Sequence, residues 1–155
     1  MYIVENSEIW RGIIEQNGAM EFDWLGVDRS GQIAVFSSFS TGFIPPCVTG
    51  SMELFNELVN LVESIPYTSA PLKVTRRSGR DDDWENYAWK GMFGYDNANA
   101  HSSNKPDGYE LIYKPSLPII ANVNIDLKKL ESIIPVFNLV FSDFIKFDVL
   151  KQALI

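Results

Sequence analysis

Two β-prone runs stand out near the start of the chain, in the segment DWLGVDRSGQIAVFSSF at residues 23–39. The runs, residues 24–28 and 32–37, are separated by a short connection in which Gly31 can supply a positive φ angle. Residues 33–36 are all apolar, which is typical of a strand covered on both faces. We therefore predict a β-hairpin whose second strand lies inside the sheet.

Residues 51–65 carry the most complete helical pattern. Ser51 stands in the N-cap position, Glu53 falls in the first turn near the positive helix end, and Pro66 ends the helix. Apolar residues recur at helical spacing on one side of this segment: Leu54, Phe55, Leu58, Val59, Leu61, Val62 and Ile65.

A run of acidic residues precedes a second helical pattern. We predict a helix that begins near Trp84, with Tyr87 and Ala88 on the same face. Its free N–H groups favour the acidic residues that lead into it. Four basic residues balance four acidic ones here, which predicts a segment that pairs its own charges: Lys73, Arg76, Arg77 and Arg80 against Asp81, Asp82, Asp83 and Glu85.

The rest of the chain adds strands and a third helical pattern. Strands are predicted at residues 92–96 and 108–114, around a polar loop at 97–108, and an extended segment at 70–74. Residues 126–134 predict a helix with Leu127, Leu130, Ile133 and Ile134 on its apolar side.

The tail, residues 139–155, alternates as an edge strand does, with a helix open as an alternative for its last residues. Strands and helices interleave without a regular βαβ period. We predict one α+β domain over residues 1–155, with a mainly antiparallel sheet and two or three helices.

Composition and charge narrow the class of protein. The 155 residues are 46% hydrophobic and carry a net charge of −7, and the N-terminus lacks the pattern of a secretory signal. We expect a cytoplasmic protein without a membrane span. Residues 1–72 contain nine acidic and two basic residues, whereas residues 73–155 contain eleven of each. This asymmetry disfavours nucleic acid and anionic membranes and favours a basic partner.

Motifs for catalysis and cofactors are missing. The chain has no Gly-rich phosphate loop and no nucleophile elbow, and Asp81, Asp82 and Asp83 lack the spacing of a calcium loop. Cys47 is the only cysteine and His101 the only histidine; we interpret Cys47 as an apolar core residue, with a Cys–His pair as the rival reading. We predict no catalytic, cofactor or metal site, although distant carboxylates that meet in a cleft remain an alternative.

The aromatic residues favour core packing. A stacking platform for bases or sugars is the alternative, and exposed Tyr or Trp beside carboxylates would suit a protein interface that grips a basic partner. The residues concerned are Trp24, Trp84, Trp89, Tyr87, Tyr95, Tyr109 and Tyr113.

Three segments, DWLGVDRSGQIAVFSS, DDWENYAWKGMFGYD and GYELIYKPSLPI, resemble a family of small bacterial cytoplasmic proteins associated with polymorphic toxin loci. The positions that match are Trp24, Gly26, Asp28, Gly31, Trp84, Ala88, Gly91, Phe93, Tyr95 and Asp96. The resemblance implies an immunity protein, which binds a toxin made by the same cell and blocks it without chemistry.

We therefore expect an inhibitor of a basic, nuclease-like protein toxin, because an acidic surface steers a basic partner towards it. The predicted contact residues are Asp81, Asp82, Asp83, Glu85, Asp23 and Asp28, with Glu5, Glu8, Glu15 and Glu21 as alternatives. A structural module that self-associates is the second hypothesis, and an enzyme or small-molecule binder built on carboxylates is the third.

Overall fold

The computed structural model describes residues 1–18, 20–77, 79–100 and 104–155. Within them, seven strands form one sheet in the order β3-β5-β4-β2-β1-β6, with β7 also paired to β5. The strands are β1 Asp23–Asp28, β2 Ile33–Ser37, β3 Pro71–Lys73, β4 Phe93–Asn97, β5 Gly108–Pro115, β6 Val136–Phe137 and β7 Ile145–Lys146. Two pairings, β1 with β6 and β2 with β4, are parallel and the other four are antiparallel. The predicted α+β class with a mainly antiparallel sheet is confirmed, and the sheet is mixed.

The predicted hairpin is confirmed. β1 and β2 pair in antiparallel register, Gly31 has φ +83°, and β2 lies between β1 and β4. Burial of both faces explains the apolar run at residues 33–36, all of which are buried. β2 is therefore the internal strand that the sequence predicted.

One face of the sheet carries the aromatic core. Phe36 stacks on Trp24, with ring centroids 4.3 Å apart, and on Tyr95 at 5.0 Å, while Tyr109 and Phe141 meet its edge. Stacked and edge-on pairs add to the burial of these large rings. Core packing is thus confirmed for most of the aromatic residues.

The structure has four α-helices in its described residues, one more than the upper number expected. They are α1 Ser7–Glu15, α2 Met52–Ser64, α3 Asp82–Trp89 and α4 Phe147–Ala153. The predicted caps hold at α2, where the Ser51 hydroxyl accepts a hydrogen bond from Leu54 N. At the other end the buried Lys90 ammonium donates to the last-turn carbonyls of Val62 and Glu63, and the carbonyl of Val62 also accepts from the C-cap Ile65 N.

Three regions differ from the expectations. Residues Lys128–Ile133 form a 3₁₀ helix and not an α-helix, and the buried Leu127, Leu130 and Ile133 match the three-residue period of a 3₁₀ turn. The tail pairs with β5 only at β7 and then continues as α4, so its helical alternative is correct for the last residues. The helix α1, Ser7–Glu15, was not among the predicted elements.

α3 lies on the sheet across β3, β4 and β5. Its inner side presents Tyr87 and Ala88, which are buried, and the half-buried Trp84. Trp84 crosses β4 at Gly94, where an added Cβ would lie 2.8 Å from the Trp84 Cβ. The predicted inner face of α3 is therefore confirmed, and glycine allows its close approach. None of the described helices is long and apolar enough to span a bilayer.

Candidate functional site: an acidic cavity and the outer face of α3

Strand register places two carboxylates in one row across the sheet. Asp23 of β1 pairs with Ser37 of β2, and Ser37 pairs with Asp96 of β4. Adjacent strands lie about 4.8 Å apart, so residues two strands apart lie about 10 Å from each other. Asp23, Ser37 and Asp96 form what we call the carboxylate row, at the end of the three strands.

The first turn of α3 closes over the carboxylate row. Trp84 Nε1 donates a hydrogen bond of 3.1 Å to Ser37 Oγ, which ties the helix to the middle of the row. A cavity of about 170 Å³, here the α3 cavity, lies between this turn, the row and the start of the chain. Its apolar lining includes Ile3, Ile9 and Phe55.

Donors from the protein already hold the two carboxylates of the row. Tyr87 Oη donates to Asp23 Oδ2 at 2.6 Å, and the Met1 amine lies 3.4 Å from the same oxygen. Arg77 forms an ion pair with Asp96 at 2.5 Å and places its guanidinium 4.3 Å from the centroid of a Trp84 ring. The wall of the α3 cavity thus already binds one guanidinium by a carboxylate and an aromatic face together.

Further carboxylates surround the mouth of the cavity. Glu21 and Asp83 are exposed, line the cavity and have no cationic partner within the described residues. The negative charges of both residues act on the phenol of Tyr2, an exposed residue. The pKa of Tyr2 is raised, by the charge of Asp83 first, then by burial, and then by Asp23 and Glu21. The mouth therefore has a negative potential that favours cations.

The outer face of α3, defined by Asp82, Glu85, Asn86 and Trp89, continues this acidic surface. Helical spacing brings these residues together, and Trp89 is 43% exposed. Tyr67 is 64% exposed and packs beside them, with its ring centroid 6.3 Å from Trp89 and its hydroxyl donating to Asn86 Oδ1. Exposed Tyr and Trp next to carboxylates form the kind of surface that suits a basic protein partner.

The predicted charge pairing of this region is present in part. Lys73 pairs with Asp81 at 2.7 Å and Arg80 with Asp82 at 2.8 Å, whereas Arg77 turns to Asp96. The Arg80–Asp82 pair is largely exposed, so solvent screens it and a partner can replace it. Asp81, Asp82 and Glu85 bring carboxylate oxygens within 4.8 Å of one another, but Lys73 and Arg80 offset that charge.

The other predicted contact residues lie in different settings. Asp28 is only 1% exposed, and its carboxylate accepts four hydrogen bonds, so it is a structural residue of the hairpin turn and we leave it out of the site. Glu5, Glu8 and Glu15 are exposed at or near α1. Asp23 lies in the cavity wall, and Asp81 in the pair with Lys73.

The Cys–His alternative is tested only at its cysteine. Cys47 is half-buried, and burial raises the pKa of its thiol, which disfavours the reactive thiolate. His101 lies outside the described residues, as does part of the 97–108 loop.

Several acidic residues of this region were predicted from the sequence, but the cavity and its tyrosines were not. The spacing of Asp82, Glu85 and Trp89 would have indicated one helical face, but Tyr67 and Tyr2 join it only through the fold. The α3 cavity depends on strand register, which no local pattern reveals. In comparisons with known proteins, neither a family model nor a curated protein nor a solved structure matched the chain.

Proposed function

We propose that this protein is an immunity-type inhibitor that binds a basic protein toxin through the outer face of α3 and the mouth of the α3 cavity. The observation that carries the proposal is the concentration of Asp82 and Glu85 beside the exposed Trp89 and Tyr67, with Asp83 of the same helix at the mouth of the α3 cavity. The resemblance of the sequence to immunity proteins of toxin loci supports the same function.

Each part of this surface has a defined energetic role in such a complex. Aromatic residues supply much of the affinity at protein interfaces, where Trp and Tyr are frequent hot spots. Carboxylates such as Asp83, which has no ion pair among the described residues, accelerate the encounter with a cationic partner and add specificity. A toxin that acts on nucleic acid needs a cationic surface for its substrate, so an acidic inhibitor can occupy that surface directly.

Co-expression tests the proposal. Each protein encoded next to this one would be produced in a sensitive host with and without it, and survival and co-purification would be scored. We expect one neighbour to be toxic alone, harmless in co-expression and recovered as a complex. Rescue by none of them would contradict the immunity function, and oligomerisation of the protein alone would then favour the self-associating module.

Matched charge reversals locate the interface on that complex. Asp83→Lys with Glu85→Lys alters the proposed surface, and Glu131→Lys with Asp148→Lys alters exposed acidic positions elsewhere by the same net charge. We expect the first pair to slow association about 10-fold or more at low salt and to flatten its salt dependence, since steering raises on-rates by about 10–10³. Equal slowing by both pairs would mean that bulk charge, and not this surface, guides binding.

A further inference from the structure

The α3 cavity is too small for most organic ligands. Pockets for cofactors and drug-sized molecules enclose about 300–1,000 Å³, whereas this cavity measures about 170 Å³. An engineered cavity of about 150 Å³ binds benzene. A group about the size of one side chain therefore fits.

Two kinds of surface line the cavity, and they are separated by depth. Ile3 and Ile9 are exposed at the mouth and offer an apolar path inwards. The side chain of Asp23 is 10% exposed and lies further in, at the carboxylate row. Long basic side chains combine an apolar stem with a charged end, so they match this order of contacts.

Asp23 has an oxygen left for such a group. Both of its donors, Tyr87 Oη and the Met1 amine, contact Oδ2, which within the described residues leaves Oδ1 as an acceptor. A carboxylate with a side chain only 10% exposed and with spare acceptor capacity favours a cationic donor, which it would bind by a charge-assisted hydrogen bond. On the neighbouring wall, Arg77 against Trp84 and Asp96 already shows the same recognition within the chain.

We propose that the α3 cavity is a socket for the end of one lysine or arginine side chain. This inference rests on the proposed function, in which that side chain belongs to the basic partner. The stem contacts Ile3 and Ile9, the charged end reaches Asp23 Oδ1, and Glu21 and Asp83 at the mouth attract the cation.

Nuclear magnetic resonance with short probes tests the socket without knowledge of the partner. The probes are the capped pentapeptides Gly-Gly-Lys-Gly-Gly and Gly-Gly-Arg-Gly-Gly, the same peptide with uncharged norleucine, and free butylamine. We expect a basic peptide to shift the Trp84 indole N–H resonance in a saturable way, and the norleucine peptide to leave it unchanged. No shift from either basic peptide at about 50 mM, well above millimolar dissociation constants, would overturn the socket. A response to butylamine alone would also overturn it, in favour of a site for small free amines.

Two variants of the cavity and one control complete the test. Asp23→Asn removes the charge, and Ile9→Trp narrows the mouth while leaving every charge in place; each should weaken peptide binding at least tenfold. Glu131→Gln, at an exposed carboxylate of the 3₁₀ helix that does not line the cavity, should leave it unchanged. Asp23 also holds Tyr87, so retention of the native spectrum is checked first, and Ile9→Trp decides the outcome if Asp23→Asn unfolds. Unaltered binding in Ile9→Trp and in a folded Asp23→Asn would overturn the proposal.

The outcome separates this inference from the proposed function. If the Ile9→Trp variant forms the toxin complex equally well, the socket is contradicted and the inhibitor function stands. If peptide binding is saturable but co-expression rescues cells from no neighbouring toxin, the socket stands and the immunity function is contradicted.

Discussion

Asp28 shows how a single buried carboxylate organises distant parts of the chain. Oδ1 accepts from the backbone amides of Ser30 and Gln32, while Oδ2 accepts from the Gln32 side chain and from Phe141 N, 113 positions along the chain. The hairpin turn and the C-terminal segment are thus joined at one residue. A buried carboxylate is tolerated because its charge is fully hydrogen-bonded.

Replacement of Asp28 should therefore destabilise the fold. Asp28→Ala leaves buried donors without an acceptor, and we expect the free energy of unfolding in urea to fall by about 3 kcal/mol. Asp143→Ala, at an exposed carboxylate, should change it by no more than about 0.5 kcal/mol. Equal effects of the two substitutions would show that the hydrogen bonds of Asp28 add little.

The sequence could not assign this role to Asp28. An Asp that follows an apolar run in an acidic half of the chain has the same local appearance whether it faces solvent or a turn. Its decisive partner, Phe141 N, belongs to a segment that was predicted as an edge strand. Charge can be counted from sequence, but burial and partners at this residue come from tertiary structure.

At the scale of elements, the position of α3 depends on a glycine. An alanine Cβ at position 94 would lie 2.8 Å from Trp84 Cβ and 3.0 Å from Trp84 Cα, where no flexible atom can move aside. The helix would have to shift away from β4. The hydrogen bond from Trp84 to Ser37 and the shape of the α3 cavity depend on this contact.

A pair of glycine substitutions measures that dependence. Gly94→Ala should lower the free energy of unfolding by about 1–3 kcal/mol, through overpacking against the helix. Gly12→Ala, in α1, meets only the flexible thioether of Met20 and gains helix propensity, so it should be neutral or stabilising by up to about 1 kcal/mol. Thermal and urea unfolding of both variants provide the comparison, and an unchanged stability in Gly94→Ala would contradict the tight approach.

Predictions at this scale succeeded where an element depends on its own residues. α2 carries its caps and its apolar stripe in sequence, and the β1–β2 hairpin carries its turn. The type of the 3₁₀ helix and the extent of the tail strand were not predicted correctly. The tail strand ends where its pairing with β5 ends, and its own alternation does not show that point. Local patterns thus fixed the type of the self-sufficient elements and left the dependent ones undetermined.

At the scale of the whole molecule, three buried tyrosines make the stability of the fold depend on pH in the alkaline range. Burial raises the pKa of Tyr87, Tyr95 and Tyr109, in each case as the largest cause. Well below pH about 10 both the folded and the unfolded chain keep these phenols protonated, so the phenols do not change the free energy of unfolding. Above it the unfolded chain releases protons that the folded chain retains, and stability falls as pH rises.

As the unfolded phenols ionise, the slope should steepen from near zero at pH about 9, through half of its final value at pH about 10, towards about 1.4 kcal/mol per pH unit for each tyrosine, or about 4 kcal/mol per unit for the three. Urea unfolding at a series of pH values between about 9 and 11 would measure it. Tyr109→Phe should remove about a third of this contribution, even though it also costs the hydrogen bond from Tyr109 Oη to the Phe43 carbonyl at neutral pH. An unaltered slope in the variant would mean that Tyr109 ionises in the folded state.

The order of strands in the sheet also determines when each strand can find its neighbour during translation. The hairpin is complete once Ser37 has emerged. The free edge of β2 pairs only after β4 is made, from Phe93 on, and that of β1 only after β6 is made, from Val136 on. At a translation rate of about 5–20 residues per second, both sides of the nascent hairpin stay open for several seconds. Unpaired strand edges invite pairing with other chains. Ribosomes that stall before residue 136 would therefore release a fragment prone to aggregation, which makes chaperone capture most valuable during this interval.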